Sequence, residues 1–298
     1  MLLLLALMCA FAGVRACAAG GKTSLNRSSV VLTMDKTRTV RLRLYNAPGA
    51  VRWHSSKPSV ASVDARGRVR ARRKGTCVIT ARRKGKTYRC SVRVYRTYAQ
   101  YCADRLTRKY RNEEKGSIVL AGSSGMTYWT DAAEAFAPYR ILNVGISGVK
   151  TKDLLQMYKR LIVKYEPEAV VIFVGGNDIT PKSDRISGRE TGVMIRQLLG
   201  KLRKELPDTL IYYVSIQPSI QRWAVWDESQ ISNRIVKKYC ARQKNMYYID
   251  LTSYCLGKDG LPDKRIFRSD GLHFRRKSYR EIWGKAVAAR VKRRLTQM

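Results

Sequence analysis

Between residues 117 and 298, five short runs of unbroken apolar residues alternate with longer stretches of helical period: Ile118–Ala121, Ile141–Val144, Val170–Val174, Leu210–Val214 and Tyr247–Ile249. Successive side chains of a strand point to opposite faces, so a strand that is apolar at every position needs cover on both. Helices between such strands supply the cover, and the pattern predicts an α/β fold with a parallel sheet between two helical layers. The last helical stretch is plain: Tyr279, Trp283, Val287, Val291 and Leu295 recur every four residues, with Ile282 and Ala286 beside them. Ligands of such sheets bind beyond the carboxyl ends of the strands, so the residues that follow each run are the ones to inspect.

Residues 21–96 keep a different rhythm. Short alternating runs (Val30–Met34, Thr39–Leu44, Val60–Val63, Arg68–Ala71, Cys77–Ala81, Tyr88–Val94) are separated by Gly, Pro, Asp and Lys turns, an all-β pattern. In Val40-Arg41-Leu42-Arg43-Leu44 the arginines take the alternate, solvent-facing positions, so the segment is basic and still owns a core. These residues carry 21 Lys and Arg against Asp35 and Asp64 alone, and the whole chain has a formal net charge of +37. Such a field predicts attraction to anionic polymers (nucleic acid, anionic lipid or acidic envelope glycopolymers) without choosing among them. The blocks Trp53-His54-Ser55-Ser56, Ser59-Val60-Ala61-Ser62-Val63-Asp64 and Gly75-Thr76-Cys77 stand in an order that resembles the bacterial Ig-like domain of group 2. That resemblance implies a β-sandwich serving as a spacer or adhesive module on secreted and surface proteins. Residues 97–116, charged and aromatic, are expected to be a helical linker. The expected division is thus 1–20, 21–96, 97–116 and 117–298.

The first twenty residues read as a signal peptide. Leu2–Val14 holds no charge and is shorter than the roughly 20 apolar residues of a membrane span. The small residues Ala16-Cys17-Ala18-Ala19-Gly20 follow, which places cleavage near residues 16–20, although no Lys or Arg precedes the apolar run. Val14-Arg15-Ala16-Cys17 also resembles a bacterial lipoprotein box, which would put a lipid anchor on Cys17; a buried N-terminal helix is the plain alternative. A secreted or cell-surface location makes disulfides expected. Cys77 with Cys90 and Cys240 with Cys255 are the candidate pairs, with Cys102 left over. No CxxC and no Cys/His cluster occurs, so no metal and no cofactor are expected.

Three glycine-rich turns follow the first three apolar runs. Gly122-Ser123-Ser124-Gly125 offers a serine on a tight turn into a helix, either a nucleophile above the sheet or an ordinary N-cap. Asn143-Val144-Gly145-Ile146-Ser147-Gly148 and Gly175-Gly176-Asn177-Asp178 are, singly, turns where Gly and Asn tolerate positive φ. Asp270-Gly271-Leu272-His273 places a carboxylate three residues before a histidine, the spacing that can orient an imidazole base, and also a common turn. The chain holds two histidines. His54 falls in the all-β part, where a structural or solvent-facing role is expected, so any histidine base is His273.

Taken in order, Gly-x-Ser after strand one, a glycine after strand two, Gly-x-Asn-Asp after strand three and Asp-x-x-His before the last helix resemble the SGNH/GDSL hydrolases, from Ser117 to Leu295. Tyr165-Glu166-Pro167 and Ser215-Ile216-Gln217-Pro218-Ser219 with Arg222 add to the resemblance. It implies a flavodoxin-like doubly wound sheet. Ser124 would be the nucleophile, His273 the base and Asp270 its support. An oxyanion hole would come from the Ser124 amide, the Gly148 amide and the Asn177 side chain. Ser123 and Gly125 depart from the family's first block without touching these roles.

The expected activity is hydrolysis of carboxylic esters by a secreted or surface-attached enzyme, on O-acyl groups of carbohydrate or envelope polymers, or alternatively on lysolipid. Trp129, Trp223 and Trp226 are either core or the lining of a sugar or acyl site. A non-enzymatic cationic adhesin is the competing reading, set against the complete Ser124, Gly148, Asn177, Asp270 and His273 set. Specific nucleic-acid binding is not expected, because Arg70–Lys74 and Arg82–Lys86 read as solvated strand faces and a turn, with no recognition helix or stacking motif. Anionic cell-envelope polymers are the expected partners of the basic surface, and the sequence leaves the oligomeric state open.

Overall fold

The computed structural model describes residues 21–181 and 186–297; residues 1–20, with Cys9 and Cys17 and the expected signal peptide, lie outside the described residues. The chain divides into two compact units, with the division between Tyr101 and Cys102. Among the described residues of the first unit nine strands form: β1 (Ser24–Leu25), β2 (Ser29–Thr33), β3 (Thr39–Arg41), β4 (Leu44–Tyr45), β5 (Arg52–Ser55), β6 (Ala61–Val63), β7 (Arg68–Ala71), β8 (Gly75–Arg83) and β9 (Lys86–Tyr95). The sheet β2-β9-β8-β5 faces the sheet β3-β7-β6 across a core of Leu32, Leu42, Val69, Ile79, Cys90 and Val92, and β1 pairs with β4. This is an Ig-like sandwich with alternating strands: in β7 the pattern is Arg68 and Arg70 exposed, Val69 and Ala71 buried. Trp53 packs against the core beside Gly67, which has φ +75°.

Three sequence expectations need correction in this unit and the next. The run Thr39–Leu44 is two strands because its partner changes: β3 pairs with β7 up to the bond from the Leu42 amide to Gly67 O (2.8 Å), Leu42 sinks fully into the core, and β4 then pairs with β1. The Cys77–Cys90 bridge is absent: both are free thiols. Cys77 faces Val92 and Cys90 faces Ile79 in the β8–β9 register, so the two are diagonal neighbours. Diagonal side chains stand roughly 7 Å apart, whereas a disulfide needs Cβ atoms about 3.8 Å apart. Cys240 and Cys255 are free as well, since the second unit's sheet stands between them. Cys255 joins the core that holds Tyr212, while Cys240 lies near Tyr213 and Tyr248 on the other face.

The second unit carries one sheet in the order β11-β10-β12-β13-β14, all parallel: β10 (Ile118–Gly122), β11 (Ile141–Asn143), β12 (Ala169–Phe173), β13 (Leu210–Val214) and β14 (Met246–Ile249). In chain order that is 2-1-3-4-5, the flavodoxin-like doubly wound arrangement, whose topological switch lies where β11 and β12 flank β10. Helix α1 (Tyr98–Lys109) straddles the division between the units, and its second half is more than a linker. Ala103 is buried, Asp104 pairs with Arg160, and beyond the helix the Tyr110 hydroxyl donates to Asn143 O (3.3 Å).

Helices α2 (Ser124–Tyr128) and α3 (Ala132–Phe136) and the C-terminal helical segment from Arg276 to Leu295 cover one face. Trp283 is fully buried there, edge-on to Trp129 and Phe173 at 5.2 Å each; such pairs add about 0.5–1.5 kcal/mol beyond their buried area. The strict four-residue repeat from Tyr279 would drift about 40° per repeat around an α-helix. The segment Tyr279–Ala288 takes wider π turns that offset the drift. Helices α4 (Thr151–Leu161), α5 (Gly188–Glu205) and α6 (Trp226–Cys240) cover the other face with Ile195, Leu198, Leu202 and Val236.

Candidate active site

Sterics set the turn out of β10 before any chemistry. Gly122 has φ +137°, and a Cβ there would overlap the Phe173 carbonyl, so only glycine can turn this close to β12. Ser123 then donates its amide to Phe173 O (2.8 Å), and Ser124 opens α2 with an amide that has no intrahelical acceptor. A Cβ on Gly125 would strike the Phe173 ring, so the turn holds a glycine here against that ring.

The Asp270–His273 turn meets Ser124 from the other side. Asp270 Oδ1 accepts the amides of Leu272 (3.0 Å) and His273 (2.9 Å), while Oδ2 lies 2.7 Å from His273 Nδ1. The three-residue spacing thus lets one carboxylate hold both the turn and the ring. His273 Nε2 lies 2.8 Å from Ser124 Oγ. A carboxylate can only accept, so Nδ1 carries the proton; Nε2 of the neutral ring is then the acceptor facing the serine hydroxyl. Burial raises the Asp270 carboxyl's pKa, but the bonds from the His273 ring and the two amides outweigh it and leave the group below its ordinary range. Tyr128 packs edge-on to the His273 ring at 4.7 Å, and the Arg268 guanidinium sits 5.2 Å over the Tyr128 ring.

Gly148 (φ +78°) lies in the turn after β11, where Ile146 donates to Gly122 O and Val149 to Ile146 O. Asn177 follows β12, with Nδ2 donating to Val149 O at 3.0 Å, so the second and third loops are tied together. Asp178, fully buried, reinforces the tie. Its Oδ2 accepts the Thr151 amide (2.9 Å) and hydroxyl (2.8 Å), while burial raises its pKa against those bonds. Asn143 secures the first loop, Nδ2 donating to Met126 O (2.8 Å) and Oδ1 accepting the Gly145 amide (3.0 Å).

Ser124, His273 and Asp270 therefore form one hydrogen-bonded line, and Gly148 and Asn177 stand on the loops either side of Ser124's strand. Sequence reasoning gave no role to Asp178, Asn143 or Tyr128 and none to Arg222, whose Nη2 donates to Asn177 Oδ1 at 2.7 Å. Asp178 and Asn143 stood inside motifs already singled out, where a second polar residue was the available signal. Tyr128 had no local signal. Trp129 is core; Trp223 and Trp226, half-buried, stack on each other at 6.4 Å. His54 is exposed on β5. Among the described residues no group of His, Cys, Asp and Glu could hold a metal ion, and no helix is long and apolar enough to cross a membrane. A cleft of about 650 Å³ opens at the amino ends of β12 and β13, lined by Glu166, Glu168, Glu205 and Asp208, and includes none of the site residues.

Residues 79–281 match the family model described as GDSL-like lipase/acylhydrolase, and residues 47–83 match that of the intimin immunoglobulin-like domain. The longer match begins inside β8, ahead of the parallel sheet. Among solved structures, an acylhydrolase from Bacteroides fragilis is similar over 67% of this chain and 100% of its own, with TM-score 0.58 and 16% identity. A GDSL-like lipase from Bacteroides thetaiotaomicron is similar over 64% and 97%, with TM-score 0.55 and 16% identity. Likeness at that identity shows the fold. No curated protein matches the chain.

Proposed function

The chain belongs to the GDSL-like lipase/acylhydrolase family, and from that premise we propose a secreted or surface-attached serine esterase that removes O-acyl groups from carbohydrate or envelope polymers. The observation that carries the chemistry is the line Asp270 Oδ2, His273 Nδ1, His273 Nε2, Ser124 Oγ, with contacts of 2.7 and 2.8 Å. Ser124 Oγ attacks the ester carbonyl carbon as its proton passes to His273 Nε2. Asp270 steadies the imidazolium. The charge that grows on the carbonyl oxygen is taken up by the Ser124 and Gly148 amides and Asn177 Nδ2; losing one such donor costs roughly 10²–10³ in rate. Collapse expels the alcohol, which takes the proton from Nε2 and leaves an acyl-Ser124. Water then attacks the acyl carbon, giving its proton to His273, and Ser124 leaves with that proton as the acid departs.

Hydrolysis of p-nitrophenyl acetate by the parent, lost in both Ser124→Ala and His273→Ala, is the expected result; retained activity in either folded variant would refute these roles.

Support for a polymeric, anionic alcohol component comes from the net charge of +37, from the Ig-like unit, and from Arg268 on Tyr128 beside His273. Acetylated acidic polysaccharide is expected to release acetate faster than lysophosphatidylcholine releases fatty acid; the reverse order would overturn the substrate class. The basic surface is expected to hold anionic polymers non-specifically, so elution from heparin should shift with salt between low and moderate ionic strength. Secretion rests on Leu2–Val14 and the small residues after it, with Cys17 as the lipid-anchor alternative. N-terminal sequencing of exported protein should find cleavage near residues 16–20, and an uncleaved leader would count against export.

A further inference from the structure

We infer that Arg222 is a positioning residue of this esterase, holding the Asn177 amide so that an Nδ2 hydrogen faces the oxyanion. The inference rests on the roles proposed for Ser124 and Asn177.

An asparagine amide has two ends of nearly the same shape, and an oxyanion donor works in only one of its two flips. At Asn177 both ends meet partners that allow no exchange. Arg222 Nη2 lies 2.7 Å from Oδ1, and a guanidinium can only donate. The Val149 carbonyl lies 3.0 Å from Nδ2 and can only accept. The flipped amide would set N–H against N–H and oxygen against oxygen. Val149 takes one Nδ2 hydrogen, and the second remains for the substrate. The guanidinium charge on Oδ1 also polarises the amide, which strengthens Nδ2 as a donor when negative charge develops in front of it.

The surroundings of Arg222 suit this task better than a stabilising one. Burial pushes its pKa down to about 10, with Asp178 the one charge among the described residues that opposes that shift. Asp178, however, spends its hydrogen bonds on Thr151. Nε is buried without a partner, and Asn177 is the only hydrogen-bond partner of the guanidinium among the described residues. Among the described residues, a half-buried guanidinium with a buried, unpartnered Nε and one neutral amide to hold it gains the fold little. Gly176 clears the space for it, because a Cβ there would lie 2.7 Å from Nη1. The 3-10 segment Ile220–Val225 that carries Arg222 is tied to the His273 turn as well, Gln221 donating its amide to Gly271 O at 3.0 Å. One short segment thus braces the oxyanion loop and the base loop.

The test is a double-mutant cycle on p-nitrophenyl acetate, with parent, Arg222→Met, Asn177→Ala and the pair, and with Ser124→Ala as the reference for the chemistry. Arg222→Met is expected to lower kcat about 10- to 100-fold with KM within about two-fold. In the Asn177→Ala background the same change is expected to cost no more than about two-fold, since nothing is left to position. Equal losses in both backgrounds would overturn the inference, as would a parent-like kcat in Arg222→Met. Should the Met variant fail to fold, Arg222→Gln is read by the same criteria. A Ser124→Ala variant as active as the parent would instead remove the proposed esterase mechanism itself, so the two failures are distinct.

Discussion

Asp270→Ala tests how much of the catalytic line is electrostatic. The substitution removes the negative charge 2.7 Å from His273 Nδ1 and leaves Ser124 and the proposed oxyanion donors untouched. The charge of the imidazolium is spread over its ring, so the separation that matters is about 4 Å. At that distance the attraction is about 4 kcal/mol for an effective dielectric of 20 and about 1 kcal/mol in bulk water. The Asp270 side chain is 34% exposed and His273 19%, which places the pair between those limits, at about 2–3 kcal/mol. Each 1.36 kcal/mol is tenfold in rate, so kcat is expected to fall about 10²-fold. The fully buried carboxylates of other hydrolases contribute about 10⁴. Steady-state kinetics on p-nitrophenyl acetate would be read beside circular dichroism, with His273→Ala as the deeper reference, at least about 10⁴-fold down. A loss under about five-fold would show that the carboxylate does not stabilise the imidazolium. A loss as deep as that of His273→Ala would refute the screening estimate.

Four further outcomes are expected. Because the Asp270 carboxyl is held below its ordinary range, its stabilising contribution is full above the unfolded value near pH 4 and is lost as pH falls further. The Tm difference between parent and Asp270→Ala should therefore shrink only below about pH 4; a difference that grew with acid would reverse the sign of the argument. Gly122→Ala combines a disallowed φ with overlap of the Phe173 carbonyl, and should cost at least about 3 kcal/mol, a Tm drop of roughly 6–12 °C by calorimetry. Ser187→Ala removes the N-cap of α5, where Oγ accepts the Glu190 amide at 3.2 Å, and should lower stability by about 1 kcal/mol in urea while kcat stays at the parent's value. Burial pushes the Cys90 thiol up to about 11 and Cys240 to about 12, so both should resist iodoacetamide until the chain is unfolded. Peptide mapping that found a Cys77–Cys90 or Cys240–Cys255 bridge would contradict the register and the placement across the sheet.

The α/β and all-β halves were legible because burial imposes a period on the chain. Unbroken apolar runs such as Val170–Val174 have use only where both faces are covered, and Arg68-Val69-Arg70-Ala71 only where one is. The motif residues Ser124, Asn177, Asp270 and His273 were legible for a similar local reason, since each sits on a turn whose glycine or Asx chemistry shows in the sequence. Tertiary structure decided what depends on distance between residues far apart in the chain. The 2.8 Å contact between Ser124 and His273 spans 149 positions, and that between Arg222 and Asn177 spans 45. No period or spacing encodes such pairs. The cysteines show the same limit from the other side. Cys77 and Cys90 lie on adjacent strands, yet a register offset of two residues separates their side chains, and Cys240 and Cys255 are near in sequence with a sheet between them. Local sequence sets which residues turn, bury or face water. Which of them meet is set by the way the strands stack, and that is a property of the whole packed unit.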